Sequence, residues 1–324
     1  MTHRDTLLIA HGSLHLALRR ELVARGLFLR ESRSWQEADL SEPDRLLGAY
    51  TWFYEGLRHL LTIWGMRNWT RRHGIPLFTW NQDAPHYLNR ASWRLDLLDH
   101  FRLYDIYASH SLVDSRRFAD TVLYLPNAAD TSRYALNGLP LKLLRDESRY
   151  VYDVSFFGAM DGVRYKEMRV RQEFFAALGD RLRQRGIRYL FRESAGMSIA
   201  EQLKLIHGTR INLNFGAACD YGSSIASGLP ERCYGIPAAG GFLLCDRRTH
   251  ARDDFTPNEN WAEFDGLEDC VEKICFWLDH FGQARELAER CHQHVLSQHT
   301  YKNRAAKLHE TLLDWNRGIR GDMS

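Results

Sequence analysis

Short runs of buried-strand character alternate with longer amphipathic stretches along most of the chain. This feature restricts the fold most, because strand, helix, strand order reads as a parallel sheet with helices on its faces. In the first half, TLLIA (Thr6 to Ala10), LFTW (Leu77 to Trp80), DIYAS (Asp105 to Ser109) and TVLYL (Thr121 to Leu125) are too short for helices and are flanked by turn or charged residues. Leu14, Leu18 and Leu22 follow the first run at helical spacing. Leu46, Tyr50, Phe53, Leu57, Leu60 and Trp64 step by four and three, which predicts one long amphipathic helix before the second strand.

The alternation breaks at PNAADTSRYALNGLPLKLLRDE (Pro126 to Glu147), where Pro, Gly, Asn and Asp interrupt any period, and a linker is predicted there. It then restarts with YVYDVSFF (Tyr150 to Phe157) and a helix carrying Met168, Arg171, Phe174, Leu178 and Leu182 on one face. IRYLF (Ile187 to Phe191) follows, then a helix opened by Ser198 and Glu201 as a capping box. RINLNF (Arg210 to Phe215), GFLLCD (Gly241 to Asp246) and a helix with Leu267, Val271, Ile274 and Leu278 complete the second half. Tyr301, Ala305, Leu308, Leu312 and Trp315 mark a final helix. The chain of 324 residues therefore reads as α/β, with two Rossmann-like doubly wound domains facing across a cleft. The expected bounds are 1–148, 149–298 and a C-terminal helix, 299–324, crossing back to the first domain.

With 44% hydrophobic and 26% charged residues, the composition excludes disorder, collagen and coiled coil. Forty-three basic against 41 acidic residues leave a net charge of +2, so any anion site has to be local. No apolar run approaches the roughly 20 residues of a membrane helix, and the opening MTHRDTLLIAHGS reads as a strand rather than a signal sequence. A cytoplasmic protein without an integral membrane segment is expected. Cys219, Cys233, Cys245, Cys270, Cys275 and Cys291 contain no CxxC pair, which fits reduced core thiols better than disulfides or zinc.

Ligands of doubly wound sheets bind beyond the carboxyl ends of the strands, so the loops there carry the chemistry. After RINLNF, a small-residue loop with Ser223, Ser224 and Gly228 leads through Leu229 and Pro230 to Arg232, an anion site in outline. Gly158, ending the first strand of the second domain, precedes Arg164, Lys166, Arg169 and Arg171, of which one or two are expected to face a ligand while the others are solvated. On the other domain, His11 and Gly12 follow the first strand directly, and a histidine there suits a general base. Asp83 and His86 follow LFTW and His110 ends DIYAS; each is equally a turn or capping residue. No clustered Asp and His pattern marks a metal site, although Asp153, Asp161, Asp220 and Asp246 all lie near strand ends.

GLPERCYGIPAAGGFLLCD (228–246), WAEFDGLEDCVEKICFWL (261–278) and HTYKNRAAKLHETL (299–312) resemble the C-terminal domain of CgeB-like glycosyltransferases, relatives of glycosyltransferase family 4. Arg232, Cys233, Tyr234, Gly240, Gly241, Phe242, Leu243, Leu244 and Asp246 fit its helix, turn and strand signature, and His299, Thr300, Tyr301 and Arg304 its closing element. DVSFFGAMDGVRYKEMRVR (153–171), TWNQDAP (79–85) and YLPNAAD (124–130) are similar to further segments of the family.

The resemblance implies a GT-B fold and transfer of a sugar from a nucleotide-sugar donor, held by the second domain, to an acceptor held mainly by the first. It implies retention of configuration and no metal or other cofactor, the nucleotide-sugar being a co-substrate. The donor site is expected to use Gly12, Gly158, Arg164, Arg169, Ser223, Ser224, Gly228, Leu229, Arg232 and Tyr234, with His11, Asp83 and Glu231 as catalytic candidates. The sequence leaves open whether the acceptor is a protein, a polysaccharide, a lipid or modified nucleic acid. The wider family places two glutamates where this chain has Ser227 and Gly235. Glu231, on the same helix, is a candidate substitute for the second, or simply a favourable first-turn charge. The departure keeps a second reading open, a catalytically weak or inactive relative that binds nucleotide sugars or assists assembly. A sugar-nucleotide epimerase, built on the same two-domain plan, is a third.

Overall fold

The computed structural model describes residues 5–83, 92–163, 168–216 and 228–321. The chain divides into two compact units, one made of residues 1–126 with 301–324 and the other of residues 127–300. Each is built on a parallel sheet.

In the first unit, β1 (Thr6–Ala10), α1 (Leu16–Ala24) and β2 (Phe28–Ser32) are followed by β3 (Leu46–Tyr50), α2 (Phe53–Arg58), α3 (Leu60–Arg72) and β4 (Leu77–Trp80). Then come α4 (Ser92–Phe101), β5 (Ile106–Ser109), α5 (Leu112–Ser115) and β6 (Thr121–Tyr124). The strand order is β2-β1-β3-β4-β5-β6, with every pair parallel. β1, β3, β4 and β5 are buried along their whole length, as parallel strands covered on both faces must be.

The single long helix expected over Leu46 to Trp64 is instead a strand and two helices. LLGAY is a continuous buried run of strand length, and its register with Leu7, Leu8 and Ile9 places it at the centre of the sheet. Leu46, Tyr50 and Phe53 keep helical steps only because the strand runs almost directly into α2. The edge strand β2 has no apolar alternation: Phe28 is 64% exposed and the strand pairs with β1 alone, so its sequence gives no strand signal.

In the second unit, β7 (Tyr152–Gly158), α6 (Met168–Gln184), β8 (Tyr189–Glu193), α7 (Ile199–His207) and β9 (Thr209–Asn214) precede α8 (Arg232–Ala238) and β10 (Leu243–Asp246). α9 (Ala251–Asp254), β11 (Ala262–Phe264), α10 (Gly266–Asp279) and α11 (Phe281–Gln298) complete it. The order is β11-β10-β9-β7-β8, again all parallel. Strand periodicity divides the side chains between two cores. Val154, Phe156, Ile211, Leu213 and Leu244 join α6 and α10 on one face, whereas Phe157, Leu243 and Cys245 join α7 and α8 on the other. The predicted capping box of α7 is formed, with Ser198 accepting from the Glu201 N–H and Glu201 accepting from the Ser198 N–H.

The linker expected between Pro126 and Glu147 belongs to the second unit. Ala129 and Tyr134 enter its core, Leu144 is buried, and the Tyr150 hydroxyl donates to the Leu144 carbonyl. These scattered apolar anchors have no period, so pattern alone could not show that the segment packs. The division accordingly falls at 126/127 and not at the expected 148/149.

The chain ends in α12 (Tyr301–Gly321), which belongs to the first unit. Leu312 packs against Gly48 of β3, and the Asn316 side chain donates to the Leu47 carbonyl at 2.9 Å. Among the described residues Cys233, Cys245, Cys270 and Cys291 are buried free thiols, with Cys275 half-buried. No helix among the described residues is long and apolar enough to cross a membrane.

Candidate functional site

Both sheets have a point where consecutive strands depart in opposite directions, between β1 and β3 in the first unit and between β7 and β9 in the second. Loops leaving such neighbours diverge and leave a crevice at the carboxyl ends of the strands.

In the second unit, Gly158 ends β7 and Gly216 follows β9, and two arginines bind this pair of loops. Arg171, on the buried face of α6, donates to the carbonyls of Ala159 at 2.6 Å, Phe215 at 2.8 Å and Gly216 at 2.8 Å. Its donors are spent on backbone, which makes it a fastener of the crevice and not the ligand contact the basic run suggested. Arg232 lies at the start of α8. Its Nε donates to Asn214 Oδ1 at 2.7 Å, and its guanidinium stands over the Phe156 ring at 5.1 Å. A Cβ on Gly158 would sit 3.0 Å from Arg232 Nη1, so the glycine is what lets the arginine approach the end of β7. Burial pulls the Arg232 guanidinium below its ordinary value, yet arginine stays charged at any physiological pH. The side chain is half-buried and holds its cation at the switch point.

Beneath Arg232 is a buried polar network. Asn214 Nδ2 donates to Asp246 Oδ1 at 2.7 Å, while Asp246 Oδ2 accepts from the Gly216 N–H at 3.0 Å and from Arg248 at 2.8 Å. Arg248 also donates through Nε to the Gly228 carbonyl. One carboxylate thus fixes Arg232 through Asn214 and holds residues 216 and 228 at fixed points through its own contacts and those of Arg248. Asn214 and Arg248 carried no sequence signal, and Asp246 only closed a motif.

The other donor-site expectations separate. Arg169 is exposed in the first turn of α6. Leu229 is core, its carbonyl accepting from Asn127 at 2.9 Å. Tyr234 turns away from Arg232. Its hydroxyl donates to Asp254 at 2.6 Å inside the core beside Phe255 and His299, which corrects its expected role. Residues i and i+2 of a helix do not share a face, so Arg232 and Tyr234 cannot both line one site. Glu231 lies 3.5 Å from Arg133, an ion pair within this unit. Arg164, Lys166, Ser223, Ser224, Ser227, Asp220 and Cys219 lie outside the described residues, as does His86. Asp153 sits at the opposite end of the sheet from Asp246, paired with Arg188 at 2.8 Å.

Gly235 has a steric explanation. A Cβ there would stand 2.6 to 2.8 Å from three carbons of the Tyr134 ring, so Tyr134 occupies the space a side chain at 235 would need. The Tyr134 hydroxyl donates to Gln202 at 3.2 Å, and burial pushes the phenol up to about 12. Replacing Gly235 by Ala gains up to about 1 kcal/mol of helix propensity. Overpacking a rigid buried ring costs about 1 to 3 kcal/mol and wins. Gly235→Ala is therefore expected to lower stability in urea unfolding, and adding Tyr134→Ala to remove that increment. An unchanged midpoint for the single variant would contradict this reading.

In the first unit, the β1/β3 switch point opens into a pocket of about 420 Å³. Gly12, with φ +117°, turns the chain out of β1, and Trp52, Glu55, Trp80, Asn81 and Asp83 line the pocket with His15. Asp83, half-buried just after β4, is where a strand-end carboxylate was expected. His11 does not line it. Its Nε2 accepts from the Trp35 N–H at 3.2 Å, and burial holds the imidazole below its ordinary value. The ring is thus a neutral acceptor holding the segment after β2, which removes the lone pair a general base needs. His110 is buried behind β5. His299 approaches His294 at 3.0 Å and belongs to the core of the second unit, while Tyr301 stacks on His15 at 4.7 Å in the first.

Residues 166–310 match the family model described as glycosyl transferase-like. The fold is GT-B, two Rossmann-like domains with parallel sheets, as found in solved glycosyltransferases. The structure of Anabaena Alr3699/HepE in complex with UDP aligns with a TM-score of 0.60 at 10% identity, covering 96% of this chain and 100% of that one. Sucrose-phosphate synthase from Thermosynechococcus elongatus aligns at 0.63 and 10% identity, covering 96% and 99%. A glycosyltransferase from Rickettsia africae aligns at 0.60 and 11% identity, covering 96% and 98%. No curated protein matches the chain in sequence.

Proposed function

We propose that this chain is a nucleotide-sugar-dependent glycosyltransferase of the CgeB-like group. The observation that carries the reading is Arg232, a buried-edge cation held by Asn214 and Asp246 at the switch point of the domain that matches the glycosyl transferase-like model. A diphosphate is the ligand suited to such a place, since a cation and backbone N–H groups at strand ends stabilise its charge. A similar fold with UDP bound makes uridine nucleotides the first to try.

In the reaction, an acceptor hydroxyl forms a bond to the anomeric carbon as the bond from that carbon to the β-phosphate oxygen breaks. The electron pair leaves on the nucleoside diphosphate, and the hydroxyl proton passes to a departing phosphate oxygen. Configuration is retained, as the resemblance implies. Incubation with UDP-, GDP- and ADP-sugars is expected to release nucleoside diphosphate with formation of a glycosylated product. Binding without release would favour the second reading, a nucleotide-sugar-binding relative, which the displacement of a side chain at Gly235 by Tyr134 supports. Turnover of the nucleotide sugar with no acceptor would favour an epimerase.

The reaction is proposed to need no divalent metal, because Arg232 supplies positive charge and both Asp246 oxygens are engaged within the protein. Activity is expected to survive exhaustive chelation. Its loss, with recovery on adding magnesium or manganese, would contradict the proposal.

A further inference from the structure

The pocket of the first unit differs in chemistry from the donor site of the second, and the difference bears on the acceptor. Its lining combines the indoles of Trp52 and Trp80 with the carboxylates of Glu55 and Asp83, the amide of Asn81 and the ring of His15, and among the described residues it includes no lysine or arginine. Arg58, outside the lining, is engaged 3.1 Å from Glu55 and 5.7 Å from the centre of the Trp52 ring. Trp80 is fixed by its Nε1–H donating to the Leu125 carbonyl at 2.8 Å, so it forms a rigid wall.

A phosphate or carboxylate entering this pocket would meet two carboxylates and, among the described lining residues, no lysine or arginine, an unfavourable exchange for its hydration. An uncharged sugar ring meets complementary groups instead. Its C–H face covers an indole, and its hydroxyls donate to the carboxylates and the amide oxygen. We infer that the pocket is a saccharide subsite and that the acceptor presents an uncharged, hydroxyl-bearing sugar residue there, which selects against phosphorylated lipid headgroups, nucleic acid and uronic acid chains. This inference rests on the glycosyltransferase reading for the word acceptor, but the binding it describes can be tested without a donor.

The test is a calorimetric titration of the full chain with nitrophenyl glycosides. Neutral glucosides, galactosides, mannosides and N-acetylglucosaminides are compared with a glucuronide and with sugar 6-phosphates. At least one neutral glycoside is expected to bind tenfold or more tightly than every anionic probe. Trp52→Ala is expected to weaken that binding at least tenfold, and Asp83→Asn to narrow the discrimination against the glucuronide, with unfolding curves recorded for both variants. Equal or tighter binding of the anionic probes, or no binding of any neutral probe, overturns the inference. UDP-, GDP- and ADP-sugars titrated into the same sample separate the two readings. If a nucleotide sugar binds while no glycoside does, the saccharide subsite fails and the donor site stands. If a glycoside binds while no nucleotide sugar does, the glycosyltransferase reading fails.

Discussion

Replacing Asp246 by Ala is expected to destabilise the protein by about 3 to 5 kcal/mol, because it removes a carboxylate from a buried arginine. Arg248 is 1% exposed, and its side chain donates to the Asp246 carboxylate at 2.8 Å and to the Gly228 carbonyl. Removal of the carboxylate also strips an acceptor from the buried Asn214 Nδ2 and another from the half-buried Gly216 N–H. Asp246→Asn keeps the shape but can offer only one oxygen, so it is expected to fall between the wild type and Ala. The double variant Asp246→Ala with Arg248→Met removes both charges and is expected to recover part of the loss. Denaturant unfolding followed by circular dichroism reads all four proteins. A loss below about 1 kcal/mol for Asp246→Ala would mean that water, not the network, satisfies Arg248.

The second large effect is on ligand affinity. Arg232→Ala is expected to weaken nucleoside diphosphate binding by about 1.5 to 3 kcal/mol, the range for a charged hydrogen bond, or roughly 10- to 150-fold. Little of this should appear as instability, since Arg232 is half-buried and the groups it leaves, Asn214 Oδ1, the Gly216 carbonyl at 3.4 Å and the face of Phe156, are few. Arg232→Lys retains the charge but loses the Nε contact that aims it, and should recover only part of the affinity. Calorimetry on UDP, GDP and ADP checks this, and an unchanged dissociation constant in a folded Arg232→Ala protein would assign the residue to structure alone.

Much of this architecture was legible in the sequence, for a physical reason. Parallel strands buried on both faces leave continuous apolar runs, so β1, β4, β7, β9 and β10 stood out, and Ser198 with Glu201 marked a helix start by local hydrogen bonding alone. β3 was lost because its run abuts a helix with compatible steps. β2 was lost because an edge strand need not alternate.

The site divides along the same line. Arg232 was visible because a loop of small residues followed by an arginine is a local signature. Its supports, Asn214 and Arg248, come from the ends of different strands and meet it only through the fold. Two of the residues follow from local rules. Arg171 shares a helix face with Phe174 and Leu178, and a residue on that face is buried. Tyr234 is two residues from Arg232 and so belongs to another face of α8. The loss of His11 to the Trp35 N–H could not have been foreseen, since 24 residues separate them and nothing local records the contact.

A nucleoside diphosphate sugar is proposed to occupy the β7/β9 switch point of the second unit. Hydrogen–deuterium exchange of the full chain, with and without saturating UDP-sugar, GDP-sugar or ADP-sugar, tests it most directly. With the nucleotide that binds, slowed exchange is predicted in peptides spanning Gly158 to Val163, Asn214 to Gly216 and Gly228 to Gly235, and the slowing is predicted to be absent in Arg232→Ala. Protection confined to the first unit, or none in these three peptides when a nucleotide demonstrably binds, would contradict the account.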